Sequence, residues 1–269
     1  MHKLKAVFLI IFLFFNVQCV HAFDENGHRV IAQIALSYLS SDAKKRLSVI
    51  FGEDYQQLFL EAPDYIAIKE QNLDSKWMKN LHYVFFNAED ESFDPQTHCP
   101  HNQCSVAAVL ESKVVLQKAK YSTTQKRQAL RYLVYFIGDI HMPMNNGFLV
   151  DRSGNKIQLQ KNDLSYVSLN WAWNKGLMIE KDQKWFALSG QYRKSIDREQ
   201  IQLWSEQVEP AQWAIESHLL AKDFGYRLAQ NKRYDSVFIK EAMPVFDLQL
   251  KKAAIRLATM LNQLYSAID

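Results

Sequence analysis

The chain has 269 residues, 48% of them hydrophobic, with 32 Lys plus Arg against 29 Asp plus Glu. A formal net charge of +3 is too small for a protein that coats duplex nucleic acid processively. No Ser/Gly-rich linker, low-complexity run or internal repeat divides the chain, so it reads as one domain with a sizeable core over residues 23–269.

The first 22 residues read as a signal peptide. Lys3 and Lys5 precede the apolar run Ala6 to Phe15, and Val20-His21-Ala22 fits the small-residue pattern before a cleavage site. A membrane anchor is the competing reading, but the run is short for a bilayer. Cleavage before Phe23 removes two lysines and leaves a net charge of about +1. Next come the turn Asp24-Glu25-Asn26-Gly27 and then His28, Val30, Ile31, Ile34, Ala35 and Leu39 at helical spacing. Ser40-Ser41-Asp42 ends that helix and caps the next. Glu61-Ala62-Pro63-Asp64 reads as a loop before a polar helix, Trp77 to Phe86 as extended or loop-like, and Asn87 to His101 as a polar excursion. Cys99 and Cys104 are the only cysteines after residue 22, and an even count in an exported chain predicts a disulfide. A Cys/His metal knuckle with His98 and His101 is the alternative, although the loop lacks a second ligand pair.

Ser105 to Ala119 reads as an amphipathic helix. The stretch that organises the chain follows: Leu130 to Gly147, LRYLVYFIGDIHMPMNNG. Its apolar residues predict a buried helix, which Pro143 stops. Asp139 on such a helix must be paired, hydrogen-bonded or metal-bound. Asp151-Arg152-Ser153-Gly154-Asn155 predicts a hairpin turn between short strands within Phe148 to Leu159, the one convincing β element. Leu169 to Leu177 and Ile201 to Gln207 read as helices, a long helix runs from Pro210 to about Leu228, and a last one follows Pro244. The expected class is nearly all-α.

On spacing alone His28, His82 and His141 are ordinary core or surface histidines, because no HExxH-type motif is present. A series of segments changes that weight. FDENGH (23–28), LHYVFFNAED (81–90), LVYFIGDIHMPMNNG (133–147), DRSGNKIQL (151–159), SLNWAWN (168–174), WAIES (213–217) and RLATMLNQL (256–264) follow one another with a specific order and spacing. Together they resemble the S1/P1 nucleases, secreted zinc-dependent nucleases and 3′-nucleotidases that share a helical scaffold with zinc phospholipases C. The resemblance covers essentially all of residues 23–269.

It implies an all-α fold with one small hairpin and a trinuclear zinc site that hydrolyses phosphodiesters of single-stranded nucleic acid and 3′-nucleotides. Carried over by residue, one zinc takes the freed amine and carbonyl of Phe23 together with His28. Asp64 and His82 match ligands of its neighbour. Asp139 matches the bridging carboxylate, so Asp139 and Asp64 are the expected catalytic positions. Tyr83 matches an aromatic that stacks a nucleobase, with a plain core aromatic as the other reading. The remaining positions depart from the family. Tyr135 stands for a histidine, and Asn145, Asn170 and Asn174 stand for the protein ligands of the third zinc. Ala67 stands for an arginine, and Phe85 for the carboxylate that partners it.

Three neutral amides bring no charge to offset a zinc ion. The expectation is therefore one or two zinc ions at most, or none, in a degenerate homologue whose hydrolysis is lost or strongly impaired. One alternative is an active phosphoesterase (nuclease, nucleotidase or phospholipase-like) using one or two metals. The other is a secreted binding module. The expected partners are single-stranded nucleic acid or nucleotides, with no stable membrane insertion once the signal is removed. The expected location is periplasmic or extracellular.

Overall fold

Apolar side chains at steps of three and four produce the helices of this computed structural model, which describes residues 23–266, residues 73–76 by backbone only. The signal-peptide segment lies outside the described residues. In chain order, α1 (Asp24–Ser37), α2 (Ser41–Phe51), α3 (Gln56–Leu60) and α4 (Ala62–Glu70) lead into a 3₁₀ stretch, Leu73–His82. The short α5 (Pro95–His98) precedes α6 (Ser105–Gln117) and α7 (Thr123–His141). Strands β1 (Gln158–Lys161) and β2 (Tyr166–Ser168) come next. Then α8 (Leu169–Trp171) runs through a π turn into α9 (Leu177–Glu180). The remainder is α10 (Trp185–Ser195), α11 (Arg198–Glu206), α12 (Pro210–Leu220), β3 (Arg233–Tyr234) and α13 (Ser236–Leu264). With 71% of the described residues helical, the all-α expectation holds.

Helix α7 is the axis of the core. Ser122 starts it with a capping box: its Oγ accepts from the Gln125 N–H, and the Gln125 side chain accepts from the Ser122 N–H. Every residue from Leu133 to His141 is buried, and α1, α4, α6, α12 and α13 pack around the helix. Pro143 forces Met142 out of the helical region. The carbonyls freed at that end are taken up by Asn146, whose Nδ2 donates to Ile140 and Met142, each at 2.9 Å.

Several local expectations need correction. Ala62-Pro63-Asp64 is helical, not a loop, with Glu61 as the N-cap, because Pro63 falls in the first turn of α4, where its missing N–H breaks no bond. Trp77 to His82 is 3₁₀, and only Tyr83 to Phe86 is extended. The turn at Asp151 is real: the Asp151 carboxylate accepts from the Gly154 N–H at 2.6 Å, and Gly154 has φ +76°. Strands do not flank it, however. The hairpin is β1–β2, with Gln158 opposite Ser168 and Gln160 opposite Tyr166, and β3 adds to β1 in parallel. Pro244 lies inside α13 rather than before it. Asp235 caps that helix through the N–H groups of Val237 and Phe238, and the carbonyl that Pro244 leaves unpaired belongs to exposed Lys240.

Cys99 and Cys104 form a disulfide, which uses both sulfurs and removes the metal-knuckle alternative. His98 is buried against Phe86, and its Nε2 lies 2.9 Å from Asp90. Replacing both cysteines by serine should cost about 2 kcal/mol, the entropy of opening so small a loop, read as a lower urea midpoint.

Candidate functional site

Asp139 is wholly buried near the end of α7, with His28 of α1 and His82 of the 3₁₀ stretch on either side. His82 Nδ1 lies 2.9 Å from Asp139 Oδ2, and His28 Nε2 lies 3.5 Å from Asp139 Oδ1. His28 can approach because residue 138 is glycine: a Cβ there would meet the His28 ring nitrogen at 2.6 Å. Tyr135, one turn before Asp139, stacks on His28 with ring centroids 3.9 Å apart and meets His82 edge-on. The phenol therefore occupies space between the two imidazoles. Its pKa is raised well above the usual tyrosine range by burial and then by the charge of Asp139, so the ring is a neutral spacer.

The structure adds a residue that the sequence reading missed. Glu70, the last residue of α4, pairs with His82 Nε2. His82 thus lies between two carboxylates, Glu70 and Asp139. Burial alone would lower its pKa, but the charge and hydrogen bond of Asp139 and then those of Glu70 outweigh it and push it up to about 10 from 6.5. The imidazolium donates from both nitrogens and is the counter-ion of Asp139. Its stabilising contribution is complete below pH 6.5 and is lost as pH rises through about 10. Thermal stability should therefore fall over that interval, and His82→Gln should remove that part of the slope in a pH series of melting curves.

The three asparagines meet on the other side of the site. Asn174 Nδ2 lies 3.2 Å from Asn145 Oδ1, 3.0 Å from Asn170 Oδ1 and 3.1 Å from the Asn170 carbonyl. Asn170 Nδ2 donates to the carbonyls of Met144 and Ser153. Asn174 Oδ1 accepts from the Phe23 N–H at 3.0 Å. Phe23 and Asp24 both turn through the left-handed region, φ 43° and 37°, which brings that N–H inward. The Phe23 ring is buried beside Phe246. An amide nitrogen is thus the donor shared by the oxygens of this group.

Asp64 is not brought to the cluster. It faces outward on α4, 49% exposed, and accepts from Arg29 at 2.6 Å. Tyr83 stacks on Phe85, centroids 5.2 Å apart and nearly parallel, so one face of its ring is covered. His141 points away from Asp139. It donates from Nδ1 to the Ile137 carbonyl at 2.7 Å, and its Nε2 accepts from Arg256 at 3.0 Å. Burial and then the Arg256 charge lower its pKa well below the usual range, so it is neutral.

Five buried polar atoms in this small volume have no hydrogen-bond partner: both ring nitrogens of His28, Asp139 Oδ1, Tyr135 Oη and Asn145 Nδ2. Such groups are costly unless a ligand completes them. His28 Nε2 and Asp139 Oδ1 are 3.5 Å apart, close to the ~3.3 Å edge between neighbouring ligands of a tetrahedral zinc. This donor pair fits a cation. Among the described residues, however, no three His, Cys, Asp or Glu side chains are placed to hold one ion. The asparagine group does not fit zinc, because its oxygens are neutral and already bonded to N–H groups.

Comparison with known proteins identifies the family. It matches the S1/P1 Nuclease family over residues 23–266. Endonuclease 3 and Endonuclease 1 of Arabidopsis thaliana are 26% and 25% identical, over 90% and 93% of this chain and 88% and 90% of their own lengths. Nuclease P1 of Penicillium citrinum is 23% identical, over 90% of this chain and 97% of its own.

Proposed function

We propose that this chain, which belongs to the S1/P1 nuclease family, is a degenerate member in which phosphodiester hydrolysis is lost or strongly impaired. The observation that carries this reading is the Asn174 amide nitrogen, hydrogen-bonded to Asn145 and Asn170 at the positions that hold the third zinc in the family. An N–H donor there supplies neither a Lewis acid nor a net charge for the leaving oxygen. Losing one such electrostatic donor alone lowers rates by ~10²–10³, and the arginine position is Ala67. Asp64 is engaged by Arg29, and His82 has a carboxylate at each nitrogen. The zinc-supplemented protein starting at Phe23 should release nucleotides from single-stranded DNA and RNA at least ~10²-fold more slowly than Nuclease P1 assayed alongside. Comparable rates would overturn the proposal.

The unpartnered atoms of His28 and Asp139 favour a second reading, a residual phosphoesterase that keeps one metal. A zinc ion held by His28 and Asp139 would polarise a phosphoryl oxygen. His28, braced by Gly138 and Tyr135, and Asp139, neutralised by His82, would hold and orient it. Elemental analysis separates the readings: about one zinc per chain, lost in Asp139→Asn together with residual activity, supports the second. Export is part of the proposal. The disulfide suits an oxidising compartment, and no helix among the described residues is long and apolar enough to cross a membrane.

A further inference from the structure

A cavity of about 470 Å³ opens beside the first half of α7, against α6 and the disulfide loop. This is within the usual range of small-molecule sites, ~300–1,000 Å³. It is distinct from the Asp139 cluster, although Tyr132 in its wall is one turn before Tyr135. Its wall carries the indole of Trp77, 47% exposed, and the Tyr132 ring. Around them stand side chains that both donate and accept hydrogen bonds, Gln103, Gln125 and Gln128, together with the Glu111 carboxylate.

The polar groups are held by bonds that use one end of each amide. Gln128 Nε2 donates to Tyr132 Oη at 2.8 Å, and Gln103 Oε1 accepts from Asn80 at 3.0 Å. The loop behind Gln103 is fixed by the disulfide and carries two consecutive left-handed residues, His101 (φ 57°) and Asn102 (φ 56°). Strain of that kind persists where surrounding structure over-determines a wall.

The chemistry of the lining selects a ligand class. No Lys or Arg lines the cavity, and besides its one carboxylate, Glu111, the wall carries only His101 as a basic side chain, so the lining offers no cationic cluster for phosphates or nucleotides. Amides and a carboxylate beside a phenol complement a ligand rich in hydroxyls, each of which donates and accepts. An exposed indole offers a flat apolar face to the C–H side of a pyranose ring. We propose that this cavity binds a neutral oligosaccharide, stacked on Trp77 and held by Glu111 and the glutamines.

The test is calorimetric titration of the whole chain from Phe23 with cellotetraose, maltotetraose and chitotetraose, with adenosine and choline as further arms. Saturable binding of at least one tetrasaccharide is expected, weakened about tenfold or more in Trp77→Ala, which removes the flat apolar face. Glu111→Gln should weaken it as well. Both side chains are exposed, so melting temperature should stay unchanged, which separates lost binding from lost fold. No saturable binding of any tetrasaccharide would overturn the proposal. So would binding indifferent to Trp77→Ala, or preferred binding of adenosine or choline.

Discussion

Replacing Asn145 and Asn170 by histidine and Asn174 by aspartate, all together, should add one zinc per chain and raise hydrolysis of single-stranded DNA by ~10² or more. The three changes act as a unit. Asn174→Asp alone removes the Nδ2 that serves Asn145 and Asn170 and buries a carboxylate with only the Phe23 N–H for support. Orphaning buried acceptors costs about 1–3 kcal/mol each, so each single variant should lose stability and gain no rate. In the triple variant the new carboxylate and imidazoles share a metal, and zinc should restore the melting temperature. Such non-additivity is the signature of contacting residues. Stability measured with and without zinc, beside metal stoichiometry, checks this. Zinc uptake by the triple variant without any gain in rate would move the blame from the asparagines to Ala67 and the remaining pair of sites.

Arg256→Ala should destabilise the fold by about 3 kcal/mol, the low end of the range for breaking a buried ion pair. Arg256 is 3% exposed and forks onto Glu216, Nη1 to Oε2 at 2.8 Å and Nη2 to Oε1 at 2.7 Å. Nη1 also reaches His141, and the guanidinium covers the Trp213 face at 5.3 Å. One side chain thus ties α13 to α12 and to the end of α7. Burial would raise the Glu216 pKa, but Arg256 and then Lys252 hold it below the usual carboxylate range. Because Glu216 is 31% exposed and keeps Lys252 at 3.3 Å, the loss should stay at the low end of the range. Arg256→Lys keeps the charge without the fork and should fall between wild type and alanine in urea denaturation. An alanine variant within 0.5 kcal/mol of wild type, the ordinary effect of a surface change, would refute the brace.

Much of the fold is written in short-range signals. The capping pair Ser122 and Gln125, the apolar steps along α7 and the stop at Pro143 each act within a turn of the chain, so sequence alone locates that helix. The asparagine substitutions are equally plain, since a residue's type is visible before its neighbours are. What sequence could not supply were the pairings across elements. Asp64 fits a ligand by position, yet α1 places Arg29 within reach of it. Glu70 has no local signature, because its partner His82 comes 12 residues later, after a 3₁₀ turn. The turn at Asp151 announces itself by Asp and Gly, but pairing with β3 decides where β1 forms. Pro244 reads as a helix start, and only the cap at Asp235 and the exposure of Lys240 show how the helix runs past it.

The burial of Phe23 carries a consequence for the order of assembly. Its N–H finds its acceptor on Asn174, 151 residues later, and its ring finds Phe246 later still. Synthesis proceeds from the N-terminus, so the first of the described residues is made early and secured late. Through most of translation Phe23 therefore has neither its acceptor nor its apolar neighbour. Only once α13 is in place can the Phe23 ring be buried as it is in the folded chain, so the start of α1 is fixed from the far end of the sequence.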